Sequence, residues 1–241
     1  MSYAMASRAS PGARRAARSL LMLPFAIFFG VTLLAATYVA YVLWPRWPGP
    51  PVAADAPSLP IVIAGTTFNM PPAAIRVRVQ RRPGTQERVD LVFLWPSLAP
   101  PDAAADAATS APAATAKTLD RIFVTIAGSE GTLAPLERMQ TIYPRYLTND
   151  PIPGPNGLVL LAFRNDTPYH GEDLLYPTET PERFLLRCSK SAGPTPGTCL
   201  YERRIGKADV TVRFPRDWLD DWRSIASGVD RLIGNLRPQV S

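Results

Sequence analysis

The chain has 241 residues, of which 46% are apolar and 19% charged, so it holds enough apolar side chain for a packed core and is not a disordered polymer. Its 27 prolines argue against a mostly helical protein, because an interior proline costs a helix about 3 kcal/mol. One histidine and two cysteines exclude histidine-rich zinc sites and most relay chemistries. The net charge of +6 suggests nucleic acid until it is partitioned. Residues 1–50 hold five arginines and no acid, leaving 21 basic against 20 acidic side chains in the rest. A near-neutral body with a basic tail is no phosphate-binding surface, and no nucleic-acid partner is expected.

The basic tail, residues 1–19, leads into LLMLPFAIFFGVTLLAATYVAYVLW, 25 uncharged residues from Leu20 to Trp44. As a helix this stretch would reach about 37 Å, enough to span a hydrocarbon core of about 30 Å. Pro24 falls in its first turn or so, and Tyr38, Tyr41, Trp44 and Trp47 gather at its far end, where aromatic rings favour the headgroup layer. A cleaved signal peptide would carry a shorter apolar stretch and a small-residue cleavage site. An uncleaved signal anchor is the expectation. Arg8, Arg14, Arg15 and Arg18 before the stretch place the N-terminus in the cytoplasm and everything from about Pro48 onward outside the cytoplasmic membrane.

Residues 45–59, rich in proline and alanine, read as a spacer. The exported domain then runs over 60–241. Residues 99–117 (APPDAAADAATSAPAATAK) lack large apolar side chains and read as a disordered surface insertion within it. Eight segments have strand character: 60–65, 74–80, 88–95, 121–128, 157–163, 183–188, 199–205 and 208–214. In 74–80 Ile75, Val77 and Val79 alternate with Arg76 and Arg78, and a turn at Pro83–Gly84 predicts a hairpin with 88–95. Residues 165–180 are polar and turn-rich and read as a loop. A short helix is predicted over 133–143, ending at Pro144.

From Pro215 the apolar residues Trp218, Leu219, Trp222, Ile225, Val229, Leu232 and Ile233 recur at three and four, predicting one amphipathic helix with both tryptophans largely buried. The fold class is α+β: one transmembrane helix, then a mostly antiparallel sheet covered by the C-terminal helix.

Cys188 and Cys199 are separated by ten residues, a spacing that suits neither a metal pair nor a redox pair. They flank a loop containing Gly193, Pro194, Pro196 and Gly197 between two strands, so a structural disulfide is expected, in keeping with an oxidising compartment. Two buried thiols are the alternative.

Chemistry is sparse. His170 stands in NDTPYHGEDLLYP and reads as a solvated loop residue, with no G-x-S-x-G serine to form a relay. No nucleotide fingerprint or metal motif occurs, so no cofactor and no metal are expected. Carboxylate-only hydrolysis would need two acids across a cleft, and Asp90, Glu172 and Asp173 are the first candidates. The arginines at 76, 78, 81, 82 and 88 are the main surface feature. On the predicted hairpin Arg76, Arg78 and Arg88 would form a basic stripe able to meet anionic lipid, an envelope polyanion or an acidic partner.

The stretch CLYERRIGKADVTVRFPRDWLDDWRSIASGVDRLI resembles the C-terminal part of uncharacterised membrane-anchored envelope proteins of alphaproteobacteria. That resemblance implies an inner-membrane location and no particular activity. The function expected is a single-pass, inner-membrane protein whose periplasmic domain binds or scaffolds an envelope protein without catalysis. An envelope hydrolase using paired carboxylates is the alternative.

Overall fold

A computed structural model describes residues 11–43, 52–101, 120–191 and 196–238. The chain divides into two compact units, residues 1–50 and 51–241.

The first unit is helix α1, Pro11–Leu43. Within it, Pro24–Val42 has a mean hydropathy of 2.0 over 19 residues and is by length and composition able to cross a membrane. The helix starts nine residues before the predicted Leu20, so part of the basic tail is helical and Pro24 is interior. Alanine and arginine, which fill residues 13–18, are strong helix formers and carry the helix back to Pro11. Trp44, Trp47, residues 1–10 and 45–51 of the predicted spacer lie outside the described residues, as do positions 102–117 of the insertion.

The second unit opens with a small sheet of β1 (Leu59–Ile63), β2 (Thr66–Met70) and β3 (Gly84–Thr85), ordered β2-β1-β3. The turn between β1 and β2 uses Ala64 at φ 46° and Gly65 at φ 80°. Left-handed backbone at both central positions is the usual geometry of a two-residue hairpin.

The main sheet is antiparallel throughout. Its strands are β4 (Arg88–Leu94), β5 (Arg121–Gly128), β6 (Ile152–Pro153), β7 (Leu158–Ala162), β8 (Glu172–Pro177), β9 (Leu186–Ser189), β10 (Thr198–Ile205) and β11 (Ala208–Pro215). Their order is β4-β5-β11-β10-β9-β8-β7-β6. Strict alternation drives it: Ile122, Val124 and Ile126 are buried between the outward Arg121, Phe123, Thr125 and Ala127.

The inner face of this sheet forms the main core with Ile61, Ile63, Phe68 and Met70 of the small sheet and with helix α3, Trp222–Leu236. Ile225, Val229, Leu232, Ile233 and Leu236 of α3 face it, as the period of three and four predicts. Among the described residues the outer face is only partly covered. Helix α2 (Pro135–Thr141) is capped by the Glu137 carboxylate, which accepts the Ala134 N–H at 2.7 Å. It precedes a second, aromatic cluster of Tyr143, Leu147, Phe163, Leu174 and Leu185.

Four expectations need correction. Residues 74–80 are not a strand. Pro72 starts a 3-10 turn through Ala74, Ile75 makes a single bridge to Leu91, and a second 3-10 turn runs over Arg78–Gln80. The Gln80 side chain takes the place of a ladder, accepting the Asp90 N–H at 2.9 Å, so the backbone turns away and leaves Val77 and Val79 in solvent. Second, the polar loop predicted over 165–180 contains the interior strand β8. Third, the C-terminal helix has two parts, a 3-10 segment Arg216–Asp221 and then α3. Fourth, its tryptophans are half-buried: Trp218 stacks on Trp95 at 5.7 Å, and Trp222 on Phe184 at 5.5 Å while donating its indole N–H to the Asn156 carbonyl.

Candidate functional site: a cationic groove on the open sheet face

β5 and β11 pair so that Phe123 lies opposite Arg213, with Val92 of β4 on its other side. The alternation that buries Ile122 and Val124 turns Arg121, Phe123 and Thr125 outward. The Arg76 guanidinium, brought in by a backbone bond from its N–H to the Asp90 carbonyl (2.9 Å), sits 4.8 Å above the Phe123 ring. Arg76, Arg121, Arg213, Phe123, Thr125 and Thr198 line a groove of about 300 Å³. Three arginines and an aromatic ring are thus among its lining residues. Such a lining suits carboxylates, which arginine binds with a planar fork, and the ring supplies apolar area beside them.

The predicted stripe is thus rearranged. Arg76 joins the groove. Arg78 lies on the 3-10 turn, and Arg88 is held by Asp90 at 2.7 Å. Partial burial pushes the Asp90 carboxyl up, but hydrogen bonds from Arg88, Thr125 and Gln80 outweigh it and hold it below the usual carboxylate range. Arg121 and Arg213 were not singled out from the sequence. The signal for them is polar alternation in two strands, but only the register of β5 with β11 sets both beside one ring.

The candidate acids are not brought together. Glu172 and Asp173 are successive residues of β8 and point to opposite faces. Glu172 pairs with Arg187 at 2.7 Å. Asp173 is buried on the inner side and pairs with Arg216 at 2.6 Å and Lys190 at 3.6 Å. Asp90 lies on β4, at the edge of the sheet and several strands from β8. His170 is exposed, with Nδ1 3.2 Å from the Thr167 carbonyl oxygen. Among the described residues no group of three or more His, Cys, Asp or Glu side chains is placed to hold a metal.

Cys188 and Cys199 are direct cross-strand partners of β9 and β10 and form a disulfide. Asp173 is the register partner of Cys188, and Arg216, its ion-pair partner, also donates to the Ser189 carbonyl at 3.2 Å. Gly197 lies against this join: an added Cβ would meet the Ser189 oxygen at 2.5 Å.

The fold has a solved precedent. An immunity protein of the type IV secretion system of Stenotrophomonas maltophilia superposes with a TM-score of 0.50 at 15% identity, over 76% of this chain and 94% of that one. The iron-regulated outer membrane lipoprotein FrpD of Neisseria meningitidis superposes with a TM-score of 0.38 at 10% identity, over 77% and 96%. No family model and no curated protein matches the sequence.

Proposed function

We propose that this is a single-pass membrane protein, N-terminus in the cytoplasm, whose extracytoplasmic domain binds an acidic segment of a protein partner without catalysis. The observation that carries the binding role is the groove: three arginines around Phe123 on a sheet face that helix α2 leaves open. The apolar helix near the N-terminus and the Cys188–Cys199 disulfide support the compartment. The three first-choice acids, Asp90, Glu172 and Asp173, are not set across a common cleft, which lends the hydrolase reading no support.

Two measurements test the reading. A reporter active only outside the cytoplasm, fused after Ser241, should be active, and the full chain should resist carbonate extraction; a reporter active only in the cytoplasm defeats the orientation. A photo-crosslinking residue at Thr125 should give an adduct of one size in the native envelope, lost on Arg213→Glu and absent when the probe sits at exposed Ser227 on α3. Equal labelling from both sites would refute binding at the groove.

A further inference from the structure

The segment that failed to become a strand forms a feature that extends beyond the groove. From Pro71 to Gln86 there are four arginines, at 76, 78, 81 and 82, and no acid. Arg76 through Val79 are all exposed, with Val77 at 41% and Val79 at 70%. The turn is held in shape from behind. The Arg81 Nε donates to the Ile75 carbonyl at 2.9 Å, and the Gln86 amide donates to the carbonyls of Gln80 and Arg82 at 3.0 and 2.7 Å. The ordering entropy of the turn is therefore met within the fold, and the two valines are presented in fixed positions.

Exposed aliphatic side chains set among cations, with the neighbouring Asp90 carboxylate already paired to Arg88, match the boundary between anionic headgroups and acyl chains. We infer that the turn Arg76–Arg82 docks on the anionic lipid surface of the bilayer. Val77 and Val79 enter the headgroup layer, and the arginines meet lipid phosphates. The inference rests on the reading that the domain is held beside a membrane. Sixteen residues separate Val42 from Leu59, a reach of at most about 55 Å, so weak lipid affinity is amplified by the tether. Docking there would present the neighbouring groove, which shares Arg76, from the membrane surface. Each basic residue close to an anionic surface contributes about fivefold in affinity, and this attraction is screened by salt.

The test uses residues 51–241, a compact unit with its own core, sedimented with vesicles. Vesicles of phosphatidylglycerol and phosphatidylcholine should bind it at least about tenfold more tightly than phosphatidylcholine alone, with affinity falling as salt rises. Arg78→Gln with Arg82→Gln should weaken binding by about 25-fold. Val79→Asp and the milder Val79→Ser should each weaken it with unchanged thermal melts, since Val79 is 70% exposed and outside the core. Equal binding to both vesicle types, or variants that bind like the parent, overturns the inference. So does displacement by millimolar inorganic phosphate, which would mark a simple anion site. Carbonate extraction of the full chain tests the anchor separately: a chain that washes off while the domain still binds phosphatidylglycerol vesicles refutes the anchor and leaves the lipid surface standing.

Discussion

Two glycines in one helix should respond to the same substitution with opposite signs. In the interior of a free helix, Gly→Ala stabilises by about 1 kcal/mol. At Gly234 an added Cβ meets nothing within 4 Å, so Gly234→Ala should raise stability by up to that amount. At Gly228 the same Cβ would lie 2.7 Å from Trp95 Cζ3 and 3.1 Å from Cη2. The Trp95 ring cannot simply swing aside, because it stacks on Trp218 and Leu98 lies beside it. Overpacking of this kind costs about 1–3 kcal/mol, so the net effect of Gly228→Ala is a loss of about 1 kcal/mol. For a domain of this size that is a fall of about 2–4 °C in Tm, against a rise of similar size for Gly234→Ala. Thermal melts of residues 51–241 carrying each change measure both. In a Trp95→Leu background the clash is gone, and Gly228→Ala should turn neutral or stabilising. If Gly228→Ala stabilises the parent as much as Gly234→Ala does, the close packing of α3 on Trp95 is wrong.

Replacing Cys188 and Cys199 together by serine should lower stability by about 3 kcal/mol through the freed loop, and the parent should show no titratable thiol without reductant. Two reactive thiols in protein isolated without reductant would contradict the disulfide. Asp90 titrates below the usual carboxylate range when folded, so its contribution is present above its unfolded pKa and is lost as pH falls through the lower folded value. Asp90→Asn should therefore cost about 1 kcal/mol at pH 7, with the gap to the parent closing in acid denaturation series. A gap that is the same at pH 7 and pH 3 would remove Asp90 as the titrating group.

Periodicity made most of the sheet legible. β5, β10 and β11 lie within a residue or so of the segments expected, because each alternates cleanly and ends at glycine, proline or a short turn. The cysteine pair was legible for a related reason: two strands meeting across a loop fix which residues face each other. The same rule failed at residues 74–80, where alternation was present but prolines at 71 and 72 and the Gln80 amide diverted the backbone. It failed in the other direction at β8. That strand opens on Glu172 and Asp173, and the burial of Asp173 is tolerable only because Arg216, 43 positions later, arrives beside it. No local window contains that partner. The groove was half visible: Arg76 was named for a stripe on a hairpin that does not form, whereas Arg121 and Arg213 needed a strand register between segments some 90 positions apart.

The strand order also sets a schedule. β4 and β5 leave the ribosome early, yet the open side of β5 is completed only by β11, and α3 comes after that. Until residues 208–236 appear, Val124 and Ile126 face no helix and β5 offers an unpaired edge to any other chain nearby. The hairpin of β10 and β11, by contrast, can zip locally around Gly206 and Lys207. Closure of the sheet is therefore a late, long-range event. A chain stalled before its last forty residues would be a sticky half-sheet, the form from which a chaperone would have most to protect it.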